Sequence, residues 1–111
     1  MPFPFYHQHD AMDCGPACLR MVAAHHGRHF NLQTLSRESH LDREGVSLAG
    51  ISKAAEAIGF RTMPVKIPFA SEEDRPGLTG APLPCIVHWN QQHFVVVFKI
   101  SKSEIHIADP A

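Results

Sequence analysis

The chain has 111 residues, of which 44% are apolar and 19% charged, a composition typical of one globular domain with a single core. A formal net charge of -1 provides no broad cationic surface, which argues against nucleic acid as a partner. The sequence contains no apolar run near the roughly 20 residues of a membrane helix and no signal peptide at its start. Three cysteines without a disulfide-like spacing fit a reducing compartment, so we expect one soluble domain over 1–111.

Three helices are predicted in the first half of the chain. The first covers residues 16–26, where apolar side chains recur at helical spacing and a glycine follows. The second begins with Asn31 as its N-cap and leads into a polar loop over 40–45. Ser47 caps the third helix, and Gly59 ends it. The apolar face of the third helix consists of Leu48, Ile51, Ala54, Ala55 and Ile58.

The second half of the chain is predicted to be β-structure. Alternating residues favour a first strand over 61–67, followed by a Pro- and charge-rich loop over 68–84. Runs rich in Val, Ile and Phe predict three further strands, at 85–89, 93–100 and 104–108. Helices followed by an antiparallel sheet are typical of an α+β domain, since no βαβ alternation is present.

Cys14 stands two residues before the first predicted helix. Gly15 and Pro16 follow it as a turn residue and a residue preset for the first helical turn. Unpaired N–H groups and the positive end of the helix dipole at this position favour the thiolate over the thiol. Gln8 lies six residues upstream and supplies an amide, the donor that a tetrahedral oxyanion needs. This pattern predicts a cysteine nucleophile.

The last two strands bring a histidine and an acid together. If Ser101 and Lys102 form the turn, counting outward places His93 opposite Pro110 or a neighbour, and Asp109 is that neighbour. Opposed or diagonal side chains on a sheet lie about 5 to 8 Å apart, so the carboxylate can hold the imidazole if the pairing puts both on one face. The register is open by one residue. The pattern predicts a base and its orienting acid for a thiol at a helix end.

Three segments of the chain resemble a known family. They are QHDAMDCGPACL at 8–19, HFVVV at 93–97 and ADPA at 108–111. In this order and at these separations they are similar to the cysteine peptidase domain at the N-terminus of bacteriocin-processing ABC transporters. That family removes double-glycine leader peptides, and the resemblance covers essentially the whole chain.

The resemblance implies a papain-like fold and a role for each site residue. Cys14 would be the nucleophile, His93 the general base, Asp109 the orienting acid and Gln8 the oxyanion donor. The implied substrate is a precursor peptide cleaved after Gly-Gly, without a cofactor or metal. The implied partners are the transmembrane and ATP-binding domains of the same transporter, with the peptidase domain on the cytoplasmic face of the bacterial plasma membrane.

Other interpretations of these residues remain open. Cys14 can be a small buried hydrophobe, and Asp109 can be a turn former before its proline. A domain of this kind can also bind a leader or an export substrate without cutting it. Cys14 and Cys18 nearly match a thiol oxidoreductase motif, although an inserted residue makes it C-x-x-x-C. We expect Cys18 and Cys85 in the core, and the nine histidines lack the paired spacings of zinc sites.

Overall fold

Three α-helices and two small antiparallel sheets make up the described part of the chain, an α+β arrangement. The computed structural model describes residues 3–8, 13–42, 45–66, 77–89 and 93–111. The helices are α1 (Cys14–His25), α2 (Leu32–Ser39) and α3 (Leu48–Ala57). The strands are β1 (His40–Asp42), β2 (Gly45–Val46), β3 (Cys85–Trp89), β4 (His93–Ile100) and β5 (Ile105–Ala108). Strand β1 pairs with β2, and the other sheet has the order β3-β4-β5.

The N-caps of α2 and α3 are those predicted from the sequence. The Thr34 N–H donates to Oδ1 of Asn31 at 2.8 Å, and the Gly50 N–H donates to Oγ of Ser47 at 3.1 Å. Each bond satisfies one of the N–H groups that the first turn of a helix leaves without an intrahelical partner. These caps therefore fix where the two helices begin. Helix α1 begins two residues earlier than predicted, at Cys14, and ends at His25.

Glycines with positive φ follow α1 and α3. Gly27 has a φ of 81° and Gly59 a φ of 104°, in the region that glycine adopts without steric cost. A Cβ built on Gly59 would lie 2.7 Å from Nη1 of Arg28, so this glycine also leaves room for the guanidinium. Both helix ends predicted from these glycines are confirmed.

Helix α1 lies between two groups of buried side chains. One group joins it to the β3-β4-β5 sheet and α3, and consists of Cys14, Cys18, Met21, Ile51, Phe94, Val96 and Ala108. The other joins it to α2 and α3, and consists of Leu19, Ala23, Leu35, Ala54, Ala55 and Ile58. Helix α1 is therefore packed from two sides. Among the described residues, every helix is too short or too polar to cross a bilayer.

Two predictions for the middle of the chain are wrong. Residues 61–66 form no strand, because Pro64 has no N–H for a sheet ladder and the neighbouring side chains of Met63 and Val65 are exposed. Residues 40–42 and 45, predicted as part of a loop, lie in β1 and at the start of β2, two strands that pair with each other. Residues 67–76 lie outside the described residues, and Leu78–Gly80 form a short 3-10 helix.

The three strands of the second sheet lie where the sequence predicted them, but the predicted β4–β5 turn is wrong. Ile100 pairs with Ile105 and not with Ser103, so residues 101–104 form a four-residue connection. The Ser101 N–H donates to the carbonyl of Glu104 at 2.9 Å, and the Glu104 N–H donates back to Oγ of Ser101 at 3.2 Å. The side chain of Ser101 thereby stabilises the longer turn.

Replacing Ser47 by alanine tests the contribution of the α3 cap. Because the Gly50 N–H loses its acceptor, we expect Ser47→Ala to lower the free energy of unfolding by about 1 kcal/mol, as measured by urea denaturation. Ser103→Ala, at an exposed position in the β4–β5 turn, is the control and should change it by less than about 0.5 kcal/mol. Equal losses in both variants would contradict the role of the cap.

Candidate active site

Cys14 is the first residue of α1, which agrees with its predicted position at the N-terminus of a helix. The helix begins with the Ala17 N–H donating to the carbonyl of Asp13 at 2.9 Å. The N–H groups of Cys14 and Gly15 precede this first helical bond, and Pro16 has none, so the positive end of the helix dipole lies at Cys14. Cys14 is 4% exposed and packs in the cluster that contains Phe94 and Ala108.

Asp13 anchors the start of α1 to α2 through a contact that has no signal in the sequence. Asp13 is 9% exposed, and its Oδ1 accepts a hydrogen bond from Oγ of Ser36 at 3.1 Å. An aspartate directly before a helix normally caps the first turn, but this side chain makes no capping bond. The carboxylate contacts α2 and thereby ties the cysteine end of α1 to the neighbouring helix.

His93 and Asp109 are in direct contact, which confirms the predicted pairing. Nε2 of His93 lies 2.6 Å from Oδ1 of Asp109, and the two side chains are 26% and 49% exposed. Because the turn is longer, each β4 residue at the turn end pairs with a β5 residue two positions later than predicted. A register shift between Val97 and Lys99 reduces this difference to one position. In that register Asp109 is diagonal to His93 on β4, within reach of its ring.

The surroundings of Asp109 keep it ionised. Partial burial raises the pKa of its carboxyl, but the hydrogen bonds from the Ala111 N–H at 3.0 Å and from His93 outweigh this and lower the pKa below its ordinary value of 3.8. A carboxylate is an acceptor, so the ring nitrogen that faces it must carry the proton. Nε2 of His93 is therefore the donor, and Nδ1 is left as the basic nitrogen of the neutral ring.

The α1 helix and the β4–β5 hairpin meet at the ends that carry these groups. Phe94 directly follows His93, Ala108 directly precedes Asp109, and both pack in the cluster that contains Cys14. One helical turn beyond Cys14, Sγ of Cys18 donates a hydrogen bond to the carbonyl of Phe94 at 3.2 Å. The residues next to His93 and Asp109 thus pack against the start of α1, where Cys14 lies.

The N-terminal segment 3–8 contacts both α1 and the end of the chain. The Gln8 N–H donates to the carbonyl of Pro110 at 2.9 Å, which places Gln8 beside the residue that follows Asp109. Earlier in the segment, the Tyr6 ring lies 3.9 Å from the guanidinium carbon of Arg20 on α1. Residues 9–12 of the motif that runs from Gln8 into α1 lie outside the described residues. The observed links are thus the contact of His93 with Asp109, the backbone bond of Gln8 to Pro110, and the packing of Cys14 with Phe94 and Ala108.

The other two cysteines have environments unlike that of a nucleophile. Burial raises the pKa of the Cys18 thiol far above its ordinary value, and the nearby Cys14 and Asp109 raise it further. Burial also raises the pKa of Cys85, which is half-buried in β3. Cys18 lies in the core as predicted, where it is 0% exposed. In the described part of the chain, no three His, Cys, Asp or Glu side chains come together as a metal site would need.

Comparison with known proteins connects this arrangement to one family. The model of the peptidase C39 family matches residues 2–111. The chain is 36% identical over 108 residues to the colicin V secretion/processing ATP-binding protein of Escherichia coli. It is 38% identical over 109 residues to the lactococcin-G-processing and transport ATP-binding protein of Lactococcus lactis. These alignments cover 97% and 95% of the chain but only 15% of each relative.

Two solved structures have the same fold. One is the peptidase domain of Streptococcus ComA, a bifunctional ABC transporter involved in quorum sensing, with a TM-score of 0.83 and 30% identity over 98% of this chain and 80% of that one. The other is a double-glycine-motif protease from an AMS/PCAT transporter in complex with its leader peptide, with a TM-score of 0.86 and 28% identity over 99% of this chain and 75% of that one. The predicted papain-like α+β fold agrees with both.

The pair formed by His93 and Asp109 should stabilise the protein in a pH-dependent way. Because the folded state lowers the pKa of Asp109, the pair stabilises the fold above the ordinary value of 3.8 and stops doing so as the pH falls through the lowered pKa. We therefore expect Asp109→Asn to reduce the free energy of unfolding at pH 7 more than at several values below pH 3.8, as measured by urea denaturation.

Glu104→Gln is the matched control for this measurement. Glu104 also contacts a histidine, His106, at 3.1 Å, but its side chain is 68% exposed, so solvent screens the pair. We expect the free energy of unfolding of this variant to differ little from that of the parent at any of these pH values. A loss in Asp109→Asn that is the same at every pH would contradict the role of its charge.

Proposed function

We propose, since the chain belongs to the peptidase C39 family, that it is a cysteine endopeptidase that removes the leader of a bacteriocin or similar secreted peptide after a Gly-Gly motif. The observation that carries the proposal is the 2.6 Å contact between His93 and Asp109. The hairpin that holds this contact packs on the helix that begins with Cys14. A thiol, a base and an orienting acid in this arrangement are the requirements of nucleophilic catalysis by cysteine.

In the proposed first step, the Cys14 thiolate attacks the carbonyl carbon of the second leader glycine. Nδ1 of His93 holds the proton that the thiol has given up, and Asp109 keeps the ring oriented through Nε2. The new bond joins sulfur to carbon, and the carbonyl oxygen becomes an oxyanion. The Gln8 side-chain amide and the Cys14 N–H are the proposed donors to that oxygen.

Collapse of the tetrahedral intermediate breaks the carbon–nitrogen bond. Nδ1 of His93 gives its proton to the departing amine of the cargo peptide, and the leader remains on Cys14 as a thioester. The neutral His93 then takes a proton from a water molecule, whose oxygen attacks the thioester. The carbon–sulfur bond then breaks, the leader leaves with a free carboxylate, and the proton on His93 returns to the Cys14 sulfur. None of these steps calls for a metal or cofactor.

The preference for two glycines has a simple steric explanation in this proposal. A cleft too narrow for a Cβ admits glycine and rejects every larger residue by collision, which is discrimination by repulsion. The proposed recognition of the rest of the leader is through an amphipathic helix that docks in an apolar groove outside the cleft.

We further propose that this single peptidase domain is the N-terminal part of a longer ABC transporter. The chain spans 15% of the length of the curated relatives that it matches, and those relatives are named as transport and processing ATP-binding proteins. In this arrangement, the transmembrane and ATP-binding domains of the same protein are its partners. The domain would act on the cytoplasmic face of the bacterial plasma membrane and cut the precursor as it is exported.

Two other interpretations of the sequence fit these observations less well. A thiol oxidoreductase needs a second accessible thiol, whereas Cys18 is fully buried and its pKa is raised. A module that only binds leaders does not require a carboxylate that orients a histidine. The contact between His93 and Asp109 therefore favours cleavage over binding alone.

Replacement of Cys14 separates cleavage from binding. We expect Cys14→Ala to abolish cleavage of synthetic precursor peptides that contain Gly-Gly, because no nucleophile remains, while leader affinity stays within about threefold of the parent. Mass spectrometry of the products and fluorescence anisotropy of a labelled leader measure the two properties. Cys85→Ala is the control for loss of a cysteine and should cleave like the parent. Cleavage by Cys14→Ala at the parent rate would contradict the proposal.

Replacement of Gln8 tests the proposed oxyanion donor. We expect Gln8→Ala to lower kcat by about 10²- to 10³-fold with little change in KM, because the donor acts on charge that develops only in the transition state. Gln33→Ala, at an exposed position on α2, is the control and should leave both constants unchanged. A Gln8 variant that alters KM alone would assign this residue to leader binding.

A further inference from the structure

Cys18 makes a hydrogen bond that joins the neighbours of the two proposed reacting groups. It is 0% exposed, and its Sγ lies 3.2 Å from the carbonyl oxygen of Phe94. Along α1, Cys18 follows Cys14 by one turn, and along β4, Phe94 directly follows His93. The bond therefore lies one residue from the imidazole on the strand and one turn from the nucleophile on the helix.

The Cys18 sulfur is held in the protonated form that such a bond requires. Burial raises the pKa of its thiol, and the nearby Cys14 and Asp109 add to the effect. A thiol is a weak donor in water, but a hydrogen bond in a site without water is stronger, and an unpaired carbonyl there is costly. The sulfur thus acts as a permanent donor to β4.

Apolar packing alone does not set the position of β4 along α1. The surrounding cluster contains Met21, Ile51 and Val96, whose contacts are non-directional. A hydrogen bond to one particular carbonyl is directional, so it resists sliding of the strand along the helix. A misplacement of about 1 Å between reacting groups can reduce a rate by about 10²-fold.

We propose that Cys18 is a positioning residue. Its thiol holds the first residues of β4 against α1 and thereby sets the distance between His93 and Cys14. The inference rests on the proposed function for its catalytic consequence. Cys18 takes no part in bond making or breaking, and its effect on the reaction passes through the placement of His93.

The test compares Cys18→Ala and Cys18→Ser, which differ by a single hydroxyl. Both are made together with Cys85→Ala, so that iodoacetamide reports on Cys14 alone. The measurements are kcat and KM for a Gly-Gly precursor peptide, and the pH dependence of Cys14 alkylation. Alkylation that persists at low pH is the signature of a thiolate paired with an imidazolium.

We expect the loss of the donor to affect the chemistry and not the binding. Cys18→Ala should lower kcat by about tenfold or more, leave KM unchanged, and move the midpoint of Cys14 alkylation to higher pH. Cys18→Ser keeps a donor toward Phe94, so its kcat should stay within about twofold of the parent and its alkylation midpoint should not move.

A matched control separates positioning from a general loss of stability. Ile51→Val removes one methylene from the same cluster without touching a hydrogen bond, and it should leave kcat and the alkylation midpoint at the parent values. Equal effects in Cys18→Ala and Ile51→Val would overturn the inference, as would a tenfold loss in Cys18→Ser. If Cys18→Ala does not fold, Cys18→Ser decides alone, since parent-like kcat and alkylation support the inference.

The two proposals fail in different ways. A folded parent protein that cleaves no Gly-Gly precursor would overturn the proposed function. The alkylation measurements need no peptide, so the comparison of Cys18→Ala with Cys18→Ser would still decide whether the thiol sets the geometry around Cys14.

Discussion

The packing of α1 against β4 is the contact on which the arrangement of the site depends. It buries Cys14 and Phe94 in one cluster, and it brings a helix from the start of the chain to a hairpin from its end. Buried side chains on the α2 and α3 side hold α1 from behind, so the helix has little freedom to turn. Asp13 adds a polar tie at the same end through Ser36. The site is therefore held by two layers of structure and not by a loop.

Much of the fold was predictable because its signals are local. Asn31, Ser47 and Gly59 each act within one turn of a helix, and the structure confirms all three. The strands of the second sheet were equally clear, because Val, Ile and Phe cluster there. The failures concern relations that a local pattern does not contain. Residues 61–66 alternate like a strand, but their side chains remain exposed and Pro64 has no N–H to donate.

The contact between His93 and Asp109 was predictable from the sequence, but the geometry that produces it was not. Residue types and segment order indicated Cys14, His93, Asp109 and Gln8, and the contact between His93 and Asp109 is present although the predicted turn is two residues too short. The longer turn and the register shift change the pairing of β4 with β5 in opposite directions, and neither has a signal in the sequence. The contact of Asp13 with Ser36 was missed because an aspartate before a helix is normally read as a cap.

The fold assembles its site from parts that are far apart in the sequence. Cys18 and Phe94 are separated by 76 positions, and Gln8 is bonded to Pro110 near the other end of the chain. Contacts of such high sequence separation form late in folding, since the loops between them must close first. A nascent polypeptide consequently exposes its sulfur long before the imidazole has been synthesised. In the proposed mechanism, the thiol therefore has no base until the β4–β5 hairpin has been translated.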